Sequence, residues 1–321
     1  TTGTSNTAIG KASLGDNTTG DFNTALGHGA LKDNTTVDNN TAVGYVALGS
    51  NTTGSESDAL GSCALNANTT GCRNVAVGKG AMLLNTEGEC NVAVGHTALS
   101  ANTTGDFNTA IGVKALNTNT TADNNTAVGF KSLATNTTGT KNTAVGMSSL
   151  IANTEGSQNV SLGSCSMLAN TTGSNNTAIG HIALCANTTG SCNVAIGRDS
   201  LDSNTTGSSN VAVGTDTLQA NTTGGSNIAI GDDALKGNST ASFNIGIGAT
   251  ALQNNQTGTG NTAVGYQSLP SNTVSNNTAV GYQSLCANTT GEENVSIGSN
   301  AMLDNTTGSR NVAIGRRALQ E

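Results

Sequence analysis

The stretch NTAVGYQSLPSNTVSNNTAVGYQSLCANTTG, residues 261–291, states the phrase NTAVGYQSL twice, at 261–269 and again at 277–285. Aligned on Asn-Thr/Val-Ala-Val/Ile-Gly, the leading residue falls at 6, 23, 40, 57, 74, 91 and onward in steps of 17 to 261. It then falls at 277, 294 and 311, so that one step alone is a residue short. The chain is 19 copies of a 17-residue unit, N-[TV]-A-[VI]-G-x-x-[AS]-L-x-x-N-T-T-G-x-x, with unit positions counted from the leading Asn. A fixed period this short predicts an all-β parallel β-solenoid, or β-roll, with one coil per repeat. Seventeen residues are too few for two helices and two turns of useful length. Thr, Val and Ile at the start of the unit favour strand, Gly and Asn disfavour helix, and Asn-Thr-Thr-Gly reads as a turn. The array spans residues 1–321 as a single continuous domain of about 19 coils.

The short step tests this reading. Losing a residue inside a strand would turn every following side chain to the wrong face, so the loss is expected in a turn. It falls between Asn272 and Asn277, where NTVSNN replaces Asn-Thr-Thr-Gly-x-x-Asn, and this alignment puts Ser275 at position 15. The only Pro, Pro270, occupies variable position 10, where a missing N–H costs least.

Composition agrees. A chain of 321 residues would ordinarily hold two or three globular domains, yet this one has no Trp, three Tyr and four Phe. A wide apolar core cannot be built from that set, and disorder is disfavoured by the strict periodicity of the apolar residues that exist. The net charge of −8, with 12 Lys+Arg and no basic run, argues against nucleic acid and anionic membranes as partners. No apolar stretch approaches a membrane span, and the chain shows neither a signal peptide nor a starting Met, as expected of a processed or truncated product.

Position 4 is always Val, Ile or Leu and position 9 always Leu or Met. These two columns are expected to form the core stripe, in pairs such as Val43 with Leu48, Val77 with Met82, Val94 with Leu99, Val264 with Leu269 and Val280 with Leu285. Positions 3 and 8 are small throughout, which implies close approach of an opposite wall or of a neighbouring chain. Position 5 is Gly in every copy, including Gly10, Gly27, Gly44, Gly78, Gly180, Gly265 and Gly281. That predicts a positive φ or no room for a Cβ. Position 15 is usually Gly but tolerates Val37, Ala122 and Ala241, so its turn is less demanding.

Asn recurs at position 1, except for Ser57, and at position 12. Stacked coils would align these residues into two Asn ladders, each amide bonding to those above and below. Position 12 also supplies Asn-x-Ser/Thr glycosylation sequons at Asn17, Asn34, Asn51, Asn68, Asn102, Asn119, Asn136, Asn170, Asn187, Asn204, Asn221, Asn238, Asn255, Asn288 and Asn305. An amide bonded into a ladder cannot also carry a glycan, so the two readings compete.

Catalytic chemistry is not expected. His28, His96 and His181 all fall at variable position 6 in coils far apart, the closest pair roughly 19 Å by coil stacking. No metal or acid–base pair forms from them, and no cofactor is implied. The seven Cys occupy variable positions, so they are not a repeated framework. Cys72 and Cys90 lie in adjacent coils and form the candidate disulfide. Tyr266 and Tyr282 should stack on consecutive coils, and Asp58, beside Ser57, marks a locally degenerate coil.

The phrase Asn-Val/Thr-Ala-Val/Ile-Gly-x-x-Ala/Ser resembles the head repeats of trimeric autotransporter adhesins. The fuller unit, with Tyr-Gln-Ser-Leu and Asn-Thr-Thr-Gly, looks like repeat arrays of phage-type tail fibre proteins. The resemblance covers essentially the whole chain. It implies a left-handed β-roll, often a homotrimer, in an extracellular, cell-surface or virion-associated stalk or head. Shorter adhesin units, and the lack of a coiled-coil stalk, anchor or fibre chaperone domain here, are departures from those families. The array starts and stops inside a unit without an atypical capping coil, which reads as a window on a longer array or as copies joined end to end.

The expectation is a non-enzymatic structural fibre or filament protein that displays its variable positions outward. Two alternatives stand beside it: an adhesin recognising a glycan or cell-surface receptor, and an ice-binding solenoid using the Thr columns at positions 13 and 14.

Overall fold

The structure is a computed structural model and describes residues 2–320. It divides into two compact units that meet at Asn159 and Val160 in the sequence. In the first unit, strands β1 (Thr7–Ile9) to β9 (Thr143–Val145) pair in parallel with their sequence neighbours. In the second, β10 (Val160–Leu162) to β19 (Val312–Ile314) do the same. Each strand is three residues long and holds unit positions 2–4, and each position pairs with its own copy in the next coil, as Thr7 with Thr24 and Ala8 with Ala25. Both units are therefore parallel β-solenoids with one coil per repeat.

Backbone bonding between coils continues well beyond the strands. The position-9 amide of Leu31 donates to Ala47 O (3.1 Å), and the position-17 amide of Asn39 to Asp21 O (3.1 Å). The amides of Thr52 and Thr53 both donate to Thr69 O. The chain thus satisfies its main-chain groups from coil to coil around the coil's perimeter, which is how so short a strand can stack at all.

The short step keeps register: Thr262, Ala263 and Val264 pair with Thr278, Ala279 and Val280. The hydrogen bonds locate the missing residue. Asn261 Nδ2 donates to Val274 O (2.7 Å), whereas in the next coil Asn277 Nδ2 donates to the position-15 carbonyl of Gly291 (2.8 Å). The Thr259 amide donates to Ser275 Oγ as the Thr140 amide does to Ser157 Oγ, both 3.0 Å, a position-16 contact. Val274 therefore occupies position 15 and Ser275 position 16, which corrects the placement of Ser275. The lost residue is one of the Thr pair at positions 13 and 14, inside the turn.

The core differs from the expected stripe. Position 3 faces in and is fully buried, as at Ala42, Ala76 and Ala93. Position 8 (Ala47, Ala81, Ala98) and position 9 (Leu48, Met82, Leu99, Leu269, Leu285) are buried with it. Position 4 faces out. Val43, Val77, Val94, Val264 and Val280 are only half-buried, and Leu26 is 43% exposed. The reason is the strand's alternation: when the middle residue of three points inward, both neighbours point outward. The small side chains at positions 3 and 8 face one another across a thin interior, as Ser161 Oγ and Ser166 Oγ show at 2.9 Å. The opposite wall, then, is what makes both columns small.

Position-5 glycines have φ between 126° and 143°. A Cβ on Gly78 would lie 2.6 Å from Gly95 O and 2.8 Å from its carbonyl carbon. Both reasons for an invariant Gly therefore apply. Position 15 has an equally close neighbour, a Cβ on Gly20 lying 2.5 Å from Val37 O, but no such φ, and it is the φ that separates the position that tolerates Val37, Ala122 and Ala241 from the one that is always Gly. The left-handed region is instead occupied by non-Gly residues at positions 7, 9 and 17, with φ from 47° to 62°, including the position-9 Leu or Met of every described coil. Each costs about 1 kcal/mol, which the stacked hydrogen bonds offset.

Candidate functional site

The most organised chemistry in the molecule is internal. At position 12 the side-chain amides form a true ladder: Asn68 Nδ2 donates to Asn51 Oδ1 (2.9 Å) and Asn85 Nδ2 to Asn68 Oδ1 (2.8 Å). Each also donates within its own coil to the position-15 carbonyl, as Asn85 to Gly88 O at 3.0 Å. Position 1 works differently. Its Oδ1 accepts the backbone N–H of the next position-1 residue, as Asn108 N–H to Asn91 Oδ1 (2.8 Å), while its Nδ2 crosses the coil to the same position-15 carbonyl, as Asn74 to Gly88 O (2.7 Å). The second column is thus a backbone-to-side-chain ladder, to which direct amide-to-amide bonds are added in some coils, as Asn210 to Asn193 (3.2 Å) and Asn227 to Asn210 (3.1 Å). Two Asn donors meet at a position-15 carbonyl, as Asn74 and Asn85 do at Gly88 O, which fastens the turn to the strand's start; Gly71 O, in the Ser57 coil, has Asn68 alone.

This arrangement settles the competition at position 12. Asn34, Asn51, Asn68, Asn102, Asn119, Asn136, Asn170, Asn187, Asn204, Asn221, Asn238, Asn255 and Asn288 are fully buried, and Asn17 and Asn305 half-buried, with their amides bonded. These residues are ladder members.

The coil at Ser57 is not degenerate. Its strand pairs normally on both sides, Thr41 with Asp58 and Asp58 with Val75. Ser57 N–H donates to Asn40 Oδ1 (3.0 Å) and Ser57 Oγ accepts from Asn74 N–H (3.2 Å). Asp58 simply faces outward at position 2, exposed, and what Ser57 lacks is an amide long enough to reach Gly71 O.

Outward, three surfaces stand out. The strand face carries positions 2 and 4, where Thr, Val and Ile alternate with an unbroken aliphatic column; Ile111 is 41% and Val145 37% exposed. Position 6 carries stacked rings: Tyr266 on Tyr282, as expected, at 5.6 Å and 17°, and His28 on Tyr45 at 5.5 Å and 21°. Positions 6, 7 and 10 of the second unit carry an ion-pair chain. Arg198 bonds Asp199 (2.6 Å), while Lys236 bridges Asp216 (3.0 Å) and Asp233 (2.8 Å). The bonds to Asp233 and then Asp216 raise the Lys236 pKa above its ordinary value. Nearby, burial and then Asp199 raise that of Asp202. Two cations stand among four carboxylates, so the ion pairs neutralise the group only in part.

Position 13 turns its hydroxyls onto the backbone, as Thr86 Oγ1 to Thr103 O (3.1 Å), and position 14 is exposed beside it. The seven cysteines are free. Cys72 Sγ points to the preceding coil, 3.5 Å from Ser55 N, whereas Cys90 lies in the following one, so the expected Cys72–Cys90 bond is absent. Burial is the main cause that raises the thiol pKa of Cys185 and Cys286. Among the described residues no cluster of His, Cys, Asp and Glu has the arrangement of a metal site, and no helix is long and apolar enough to cross a membrane. Compared with known proteins, the chain matches no family model and no curated protein.

Proposed function

We propose that this protein is a structural, non-enzymatic β-solenoid, a fibre or filament component of an extracellular, cell-surface or virion assembly, which associates with further copies of itself through the strand face. One observation carries the reading. Position 4 is aliphatic in every coil yet faces outward, so a periodic apolar column runs along a fold whose interior is already closed by ladders. A contiguous apolar strip of that kind is characteristic of surfaces that meet a partner. A homotrimer, the arrangement implied by the adhesin-like repeats, would place three such columns against one another, with positions 6, 7, 10, 11, 16 and 17 left on the outside.

The test is sedimentation of the whole chain beside the triple variant Ile111→Lys, Val128→Lys and Val145→Lys. The expected result is an oligomer for the parent and a folded monomer for the variant, with unchanged amide exchange at Leu99 and Leu116. A parent that stays monomeric across the concentration range, or a variant that associates equally well, would remove the self-association reading. A second reading, recognition of a glycan or cell-surface receptor, draws support from the exposed ring stacks at Tyr266–Tyr282 and His28–Tyr45, since the apolar faces of sugars stack on aromatic rings. Retention of the chain on immobilised glycans, lost on Tyr266→Ser, would favour it.

A further inference from the structure

The ladder removes position 12 from the glycan-accepting residues, and the structure offers another set that goes beyond the structural role proposed above. Asn39, Asn124, Asn175 and Asn276 stand at position 17, each followed by Asn and Thr, which completes an Asn-x-Thr sequon. All four are exposed. Their side chains stand outside both ladders; at Asn39, Asn124 and Asn276 the backbone N–H alone is held, by Asp21 O, Asp106 O and Thr259 O. Their φ values of 59° to 62° suit Asn better than other non-Gly residues, which explains why Asn is accepted there.

Backbone preference does not explain the next residues. Position 2 is Thr in nine coils and another residue in ten. Every Asn at position 17 precedes a Thr coil, and none precedes any of the others, where Arg73, Cys90, Ser209 and Glu293 are among the residues that stand instead. A preference of the left-handed conformation alone would scatter Asn over both kinds. A second feature sits beside two of the sites. Phe22, 60% exposed, and Phe107, 59% exposed, occupy position 17 in the coils directly before Asn39 and Asn124, and each leaves an apolar ring beside the Asn for a sugar's apolar face.

We propose that Asn39, Asn124, Asn175 and Asn276 are the N-glycan acceptor sites of this chain. The donor is a lipid-pyrophosphate-linked oligosaccharide handled by a membrane oligosaccharyltransferase. The Asn amide nitrogen bonds to the anomeric carbon, the bond from that carbon to the pyrophosphate oxygen breaks, and the lipid pyrophosphate departs while the enzyme's base takes the amide proton. A glycan on a position-12 residue would remove a ladder proton and put a sugar into a site that is fully buried at all but Asn17 and Asn305, so chains modified there do not reach the folded state. Glycans at position 17 project from the corner that precedes the strand.

The experiment is expression of the whole chain through the secretory pathway of a eukaryotic cell. The folded, secreted product is then treated with peptide-N-glycosidase in heavy-oxygen water, and the resulting Asp residues are mapped by mass spectrometry. The expected result is heavy-oxygen label at the four position-17 sites and none at position 12. No label at the four sites, or label at position 12 in folded material, overturns the proposal. Thr41→Val keeps a side chain that position 2 accepts elsewhere, at Val75 and Val92, and destroys one sequon. It should abolish label at Asn39 and leave Asn124 as it was; label persisting at Asn39 would equally overturn the assignment.

Discussion

Replacing Asn85 by Ala isolates the position-12 ladder, because Asn85-Thr86-Glu87 is not a sequon and glycosylation cannot confuse the result. Asn85 is fully buried and makes three side-chain bonds. It donates to Asn68 Oδ1 (2.8 Å) and Gly88 O (3.0 Å), and it accepts from Asn102 Nδ2 (2.7 Å). In the variant, Gly88 O keeps its bond from Asn74 Nδ2 (2.7 Å) and is not orphaned. Asn68 Oδ1 and one proton of Asn102 Nδ2 are left without partners. At roughly 1–3 kcal/mol for each buried orphan, with a small cavity added, the local cost is about 3–5 kcal/mol. Solenoids open coil by coil, so a global melting curve would dilute the effect, and amide exchange is the proper assay. The amides of Thr69 and Thr86, which bond to Thr86 O and Thr103 O, should exchange ~100-fold faster or more. Those of Thr18 and Thr137 should not change. Equal exchange at Thr69 and Thr86 in parent and variant would refute the view that the amide ladder holds the coils together. Asn85→Asp sharpens the test. Its carboxylate would face the two oxygens that Asn85 now donates to, which raises its folded pKa above the unfolded value. Stability relative to the parent should therefore be lowest above that raised pKa, recover as pH falls through it, and level off below the unfolded value.

Three further outcomes follow from the same geometry. Gly78→Val meets both a φ of 128° and the carbonyl of Gly95, and should disrupt its coil, whereas Thr86→Ser keeps the hydroxyl that bonds Thr103 O and should melt like the parent; equal melting would contradict the backbone argument. Leu99→Ala should cost about 2–5 kcal/mol by denaturant titration, and Val94→Ala, on the outer face, less than about 1.5 kcal/mol in the dissociated chain; the reverse order would restore position 4 to the core. Ser57→Asn should supply Gly71 O, now bonded by Asn68 Nδ2 alone at 2.9 Å, with the second donor that its counterparts have, and slow local exchange by an amount worth about 1 kcal/mol. Faster exchange in that variant would show that Ser57 is needed for itself.

The period, the strand at the start of the unit and the turn around Asn-Thr-Thr-Gly were legible because each is a local property repeated many times. So was the tolerance of the short step, since only a turn can lose a residue and leave Val264 opposite Val280. The core departs from the expected stripe because large aliphatic side chains at position 4 do not by themselves signal burial. The better signal was in the sequence: positions 2 and 4 must share a face, and a face that admits Asp58 and many Thr residues is not an interior. The left-handed Leu at position 9 left no trace, because no Gly ever replaces it. Position 7 was faintly readable from Gly29 and Gly80, and position 17 from Gly260. The Asn columns were visible, but their shared partner, the position-15 carbonyl, was not, because a backbone acceptor imposes no residue type. The sequons at Asn39, Asn124, Asn175 and Asn276 are present in the sequence, but only their exposure, against the burial of those at position 12, separates the two sets.

The difference between positions 2 and 4 is the strongest reason to look outside a single chain. Both lie on the same outer face, three-residue strand after three-residue strand, with similar burial. Strand propensity would favour Val, Ile and Thr at either place. Position 2 behaves that way and takes Thr in nine coils. Position 4 never takes Thr but does take Leu, at Leu26, Leu60 and Leu162, which is a weaker strand former. The column therefore tracks hydrophobicity and not backbone preference, and a lone chain gains little from hydrophobicity that faces water. Substituting Val94, Val128 and Val145 by Thr separates the two causes. Strand propensity and side-chain shape survive, so amide exchange in the dissociated chain should be unchanged. If copies meet on this face, each methyl replaced by a hydroxyl costs on the order of 1 kcal/mol at every contact, and the association constant measured by sedimentation should fall by at least tenfold. An unchanged association constant, with exchange also unchanged, would mean that the aliphatic column serves no contact between copies and that the assembly argument built on it is wrong.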